Sequence, residues 1–285
     1  RVGKGLRSAP RDALVADSTP PEIRGFAYGY HRALDNAGAV GGSLVAAMAL
    51  AWSGASLTQV ILWSAVPGFI GVLLIAVGIK EKVAAVPVAS RNSRPPLRWS
   101  ALSAGMRRYL LVLTLFTLAR ASETFIVLRG NELGMSVVEL LLLWSVLNLA
   151  KAATSTSGGR LADVWGREAL ILLGWIGFAA SFLLLGQVAH SPALWAVVVA
   201  YGLVTGLSEG PERALIGDFA AADERGTAFG WYHLMLGAAA IPGGLLFGGV
   251  WHYWGGAAAF SYAGVAAVLC AALMHFWVWP RSKKG

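Results

Sequence analysis

Eight stretches of this chain run for about twenty residues or more with little charge. They are Phe26–Trp52, Leu57–Ile79, Tyr109–Leu128, Val137–Ser157, Ala169–Ala189, Ala193–Phe219, Ala228–Trp251 and Ala257–Trp279. Each is long enough to cross the roughly 30 Å hydrocarbon core of a bilayer as a helix. No water reaches the backbone there, so runs of this length must satisfy their own hydrogen bonds, as helices do. Composition agrees: only 13% of residues are charged, against roughly 25% in an average soluble domain, and mean hydropathy is +0.62. A soluble globular fold is excluded. The single cysteine, Cys270, excludes an internal disulfide framework and a thiolate metal cluster. No phosphate-cradling glycine loop with a following Lys and Ser/Thr occurs, and no nucleophile stands beside an arranged base. Neither ATP hydrolysis nor any other enzymatic activity is expected, and no cofactor or metal is implied.

The connections between the apolar runs are short except for 81–105. That stretch holds Pro87, Pro95 and Pro96 among serines and arginines, and reads as a flexible link between two halves. Linkers on one side of the membrane hold 14 of the 23 Lys and Arg, and those on the other hold one, Arg129. The basic excess marks the cytoplasmic side, which then carries the 81–105 link, the loop near Gly159–Glu168 and the C-terminal tail. The net charge of +8 is therefore topological and does not point to nucleic acid.

Gly5–Leu44 aligns without a gap to Gly206–Leu245, with 14 identities in 40 positions at an offset of 201 residues. Apolar composition alone would not align Pro10 with Pro211, Asp17 with Asp218 and Arg24-Gly25 with Arg225-Gly226. Same-orientation repeats of this size build transporters from two halves of about six helices. Arg1 corresponds to Gly202, inside the fourth helix of its half. The repeat thus predicts three helices and the start of a fourth before Arg1, in a protein of twelve spans and about 390 residues.

The segment Gly159-Arg160-Leu161-Ala162-Asp163-Val164-Trp165-Gly166-Arg167-Glu168 resembles the G-x-L-a-D-r-x-G-r-k loop of the major facilitator superfamily, between the second and third helices of the second half. Val164 and Glu168 stand where that pattern usually has basic residues, which leaves a weaker charge set. The resemblance covers the whole chain. It implies an all-α membrane protein of two pseudo-symmetric six-helix bundles, this chain holding about half of helix 4 plus helices 5–12. Residues 1–80 would complete the N-terminal bundle, 81–105 form a cytoplasmic linker and 106–285 the C-terminal bundle. It also implies a gating role for the loop. Physically, Gly159 and Gly166 permit close approach and turning. Asp163 suits a neighbouring helix N-terminus, and Arg167 can pair with Asp218. Asp17, Arg24 and Arg225 stand at the same end as repeat mates.

Ionisable residues inside spans are costly and face a cavity or a partner. Arg7 and Arg11, four apart with Lys4 and Arg1 behind them, form a basic ridge that suits an anionic substrate through paired guanidinium bonds; pairing with nearby acids is the alternative. The repeat mates of Arg11-Asp12 are Glu212-Arg213, with both signs inverted, so Arg11–Glu212 and Asp12–Arg213 pairs across a cavity are expected. Glu209 lies one turn away. His31, Arg32, Asp35 and Asn36 sit at the start of one helix, where Arg32 and Asp35 can satisfy each other. Arg120 and Glu123 repeat that spacing, Glu123 being the candidate proton carrier with Arg120 opposing it. Asn148 and Lys151 would add to the same cavity. The pairs Gly38/Gly42 and Gly244/Gly248 are expected at close helix crossings, and tryptophans near span ends at the membrane interface.

The function expected is secondary transport of a small polar solute by alternating access, an anion being one candidate, with H+ as a candidate coupling ion. Proton-coupled drug or metabolite efflux is one alternative, and a transport-dead membrane sensor or scaffold another. Charged residues on three presumed cavity helices favour transport. The expected partners are the solute and the bilayer, the expected state a monomer, and the expected location a bacterial inner membrane with the C-terminus cytoplasmic.

Overall fold

The computed structural model describes residues 2–78, 99–120, 122–221 and 224–279, with some side chains, those of residues 2–7 among them, outside the description. Its regular elements are helices: α1 Val2–Ser18, α2 Arg24–Trp52, α3 Leu57–Trp63, α4 Ala65–Gly78, α5 Ala104–Ala119, α6 Thr124–Glu132, α7 Val137–Trp165, α8 Arg167–Leu185, α9 Ser191–Phe219 and α10 Arg225–Leu273. Six helical stretches are long and apolar enough to cross a membrane. Most of the expected linker 81–105 lies outside the described residues, as does the basic tail; α5 begins at Ala104, capped by the Ser103 hydroxyl, which accepts from Met106 N at 3.2 Å.

Seven of the eight expected spans fall largely within these six stretches. The last two share α10, whose 49 residues would reach about 74 Å as one straight helix, more than twice the hydrocarbon thickness. Gly255, at φ +84°, breaks α10 into two arms, each of spanning length. The eighth, Leu57–Ile79, is corrected: it is split at Ser64 into α3 and α4, each too short to span alone, with Ile79 outside the described residues. Tyr109–Leu128 is not continuous either: α5 stops at Ala119, Arg120 turns to an extended conformation, and α6 starts at Thr124. Arg120 and Glu123 therefore do not share a helical face, contrary to their i, i+3 spacing.

The expected 159–168 loop is corrected too. Gly159 to Trp165 form the last turns of α7, and the turn rests on Gly166 at φ +95° before α8 begins at Arg167. Gly159 and Asp163, four apart, thereby share one face.

That face meets α2 closely. A Cβ at Gly25 would lie 2.4 Å from Gly159 O, and one at Gly29 2.3 Å from Ser155 O. Small residues on both helices let the backbones touch, as membrane packing favours. Gly38, Gly42 and Gly244, expected at such crossings, have no described atom within 4 Å of a notional Cβ, and Gly248 meets only Phe125 at 3.8 Å. The interior of the second half is aromatic: Phe116, Trp175, Phe178, Phe182, Tyr201 and Phe260 are each at most 2% exposed. Phe116 lies flat on Trp175 with ring centroids 4.0 Å apart.

Candidate functional site

Two groups of charged residues occupy the boundary between the segment α1–α2 and the helices α5–α10. The first lies where α2, α8 and α10 begin. Asp163 accepts backbone N–H bonds from Gly25 and Phe26, both at 2.8 Å, so its carboxylate caps the positive end of α2. Arg167 holds Asp163 at 2.6 Å, Pro21 O at 2.7 Å, and Asp218. Asp218 also pairs with buried Arg24 at 3.1 Å, while Arg225 pairs with Asp17 at 2.7 Å. One salt bridge is thus repeated by its mate 201 residues on. Every residue expected at this end, from Asp17 and Arg24 to Asp218 and Arg225, is drawn into the cluster.

The second group lies deeper. Glu209, buried on α9, is held by Arg32 of α2 at 2.6 Å, by Lys151 of α7 at 3.4 Å, and by Arg120 at 3.6 Å. Lys151 also pairs with Glu123, which accepts a hydrogen bond from Tyr201 Oη at 2.8 Å. Arg32 reaches Asp35 at 3.1 Å, so the local pair forms and a cross-helix pair forms beside it. Asp12, buried on α1, lies 3.5 Å from Arg213 and 3.0 Å from His233 Nε2. Arg11 lies beside Asp12 at 3.2 Å and at 4.0 Å from Asp35.

One expected pair is absent. Arg11 does not meet Glu212, which accepts instead from the Trp175 indole at 2.8 Å. Neighbouring residues on a helix point about 100° apart, so α1 and α9 can present only one position of each inverted pair to the other. Asp12 and Arg213 take that place, and Glu212 turns into the aromatic interior of its own half. Asn148 is also misplaced by the sequence reading: its amide donates to Trp144 O at 2.8 Å on its own helix, and it lines neither cavity. Arg7 and Lys4 lie on α1 with side chains outside the described residues, and Arg1 lies outside altogether.

A cavity of about 640 Å³ opens between these helices, lined by Arg11, Arg32, Arg120, Arg213, His233 and Asp35 among others. A smaller one of about 320 Å³ adjoins it, sharing Arg32 and Arg120 and adding Glu123, Lys151 and Glu209. Sequence reasoning missed His233, Tyr232 and Trp175. His233 and Tyr232 stand at the repeat positions of Arg32 and His31, so the repeat carried a signal for both. Trp175 carried none, because an indole in an apolar helix reads as core.

Helices related by an internal repeat, meeting around charged cavities and tied by ion pairs at one end, define a multi-pass membrane transporter. Residues 99–285 match the family model of the Major Facilitator Superfamily, and the chain belongs to that family. It is 30% identical over 285 residues to an uncharacterized MFS-type transporter of Methanocaldococcus jannaschii, covering 97% of this chain and 69% of that one. A puromycin resistance protein of Streptomyces alboniger is 30% identical over 174 residues, 60% of this chain and 34% of that one. Among solved structures, the human organic anion transporter MFSD10 superposes with a TM-score of 0.75 at 17% identity, covering 93% of this chain and 67% of that one; this likeness establishes the fold.

Proposed function

We propose that this chain carries the solute path of a secondary transporter for a small organic anion, working by alternating access. The observation behind the reading is the convergence of Arg11, Arg32, Arg120 and Arg213 on one cavity of about 640 Å³, a size in the range of small-molecule sites. Guanidinium groups match the geometry of carboxylate and phosphate and keep their charge at any physiological pH. Residues 1–80 belong to one rocking bundle and 106–285 to the other, with 81–105 as the link between them. The cluster of Asp163, Arg167, Asp218 and Arg24, with Arg225 and Asp17 beside it, closes the cytoplasmic mouth of a bacterial inner-membrane protein. The basic excess of the linkers supports that orientation.

The relative named for puromycin resistance favours a second reading, efflux of a drug or metabolite. Four guanidinium groups on one cavity offer better partners to an anion than to a cationic drug, which weighs against that reading. Uptake into vesicles containing the intact protein separates the two. Saturable flux of lactate or gluconate, competed by other organic anions, is the expected result. Saturable flux of puromycin with none of the anions would overturn the anion reading.

A further inference from the structure

Among the described residues, Glu212 is the acid of this site that forms no direct ion pair. Asp12 sits with Arg11 and Arg213, Asp35 with Arg32, Glu123 with Lys151, and Glu209 with Arg32, Arg120 and Lys151. Glu212 is 5% exposed, and among the described residues no Lys, Arg or His nitrogen lies within 4 Å of its carboxyl group. Its Oε1 accepts from the indole of Trp175, which is itself stacked on Phe116. The titratable and charged groups facing it are Glu209 and Arg213 on its own helix, Tyr109 and Arg120 from α5 and the turn after it, and Tyr232 from α10. The Tyr109 hydroxyl donates to the Glu212 backbone carbonyl at 3.2 Å and not to the carboxyl group. A bare carboxylate in such a setting is costly, and the neutral acid removes that cost.

The charge balance gives this acid a role. The four paired acids stand against five bases, Arg11, Arg32, Arg120, Lys151 and Arg213, a formal excess of one positive charge with the histidines left out of the count. If Glu212 is ionised the site is neutral; if it is protonated the site carries +1. A monoanion bound to the protonated site restores neutrality, whereas a monoanion bound to the ionised site leaves −1.

We propose that Glu212 is a proton-binding site, with the proton on Oε2, and that it couples entry of one proton to entry of one organic monoanion. The empty, deprotonated carrier and the carrier holding both proton and anion are the two neutral forms of the site. They are the forms that reorient through the membrane, because the half-loaded forms bury an uncompensated charge. The coupling half of this inference rests on the anion reading above; the proton site does not.

Infrared difference spectroscopy of the intact protein tests the proton site without any solute. At neutral pH, wild type minus E212Q is expected to show the C=O stretch of a protonated carboxylic acid, shifted in D2O. W175F removes the hydrogen bond to Oε1 and is expected to move that band, which keeps the assignment available if E212Q fails to fold. Loss of carboxylate stretches alone in E212Q, or a band indifferent to W175F, overturns the proton site. Coupling is read in voltage-clamped vesicles with a lumenal pH dye and labelled lactate or gluconate. Wild type is expected to bring in one proton with each anion, and E212Q to exchange anions with no net proton movement. Wild-type anion entry without protons overturns the symport. Transport of neither probe by wild type overturns the anion reading and the symport with it, while the infrared result still decides the proton site.

Discussion

Arg24 lies 3.1 Å from Asp218, and their repeat mates Arg225 and Asp17 lie 2.7 Å apart. In each bridge the basic residue stands at or beside the start of a helix in one half, and the acid near the end of a helix in the other. The same bond is therefore made twice, once in each direction across the boundary. Both bridges must break for the two halves to part at this end.

Asp17→Arg or Arg225→Asp alone places like charges in contact and is expected to raise the labelling rate of a cysteine introduced between the two helices. The double exchange Asp17→Arg with Arg225→Asp restores the pair, and labelling is expected to fall back most of the way. Arg225 has the simpler surroundings, since Asp218 is shared with Arg167. Labelling of the double variant equal to that of the singles would remove the latch.

Asp163→Asn keeps the size of the side chain but removes the charge that caps α2 and holds Arg167. That capping is worth up to about 2 kcal/mol in partly buried settings. Turnover is expected to fall about tenfold, roughly 1.4 kcal/mol on the rate-limiting barrier, with solute affinity unchanged within about twofold. Arg167→Ala should behave alike. Equilibrium binding and single-turnover flux on the same preparation give both numbers, and a loss confined to affinity would contradict the gating role.

Charge exchange separates the two inverted pairs. Asp12→Arg with Arg213→Asp retains a pair at the observed contact of 3.5 Å, and is expected to recover part of the transport lost in each single variant. Arg11→Glu with Glu212→Arg recovers none, because it forces an unpaired arginine beside Trp175. A double-mutant cycle on transport rate measures both couplings.

Gly29→Val is expected to abolish the folded protein, since its Cβ would meet Ser155 O at 2.3 Å and backbone cannot yield as a side chain does. Gly38→Val, on the same helix with no described neighbour within 4 Å, is expected to shift the thermal midpoint by only a few degrees. Size-exclusion profiles and melting curves in detergent check the contrast.

Much of this molecule was legible along the chain because bilayer crossing is a local property. Span length and the 201-residue repeat need only sequence, and they placed most of the helices, while the Gly159–Glu168 segment pointed to the grouping of Asp163, Arg167 and Asp218. The repeat also put opposite charges at equivalent positions, which anticipated the Asp12–Arg213 contact.

What the chain could not display was rotation. Whether Glu212 faces α1 or Trp175 depends on how α9 is turned about its own axis, and that is set by packing of the whole half around Phe116 and Trp175. The break after Ala119 is of the same kind. Apolar periodicity continues through it, but Glu209, Lys151 and Tyr201 from two other helices supply the partners that hold Arg120 and Glu123 apart. The sequence by itself determined which stretches are long and apolar enough to cross a membrane. Only the tertiary structure decided which buried acids form an ion pair and that Glu212, among the described residues, has no cationic nitrogen within 4 Å, because partners more than one turn apart along the chain meet only once the helices have packed.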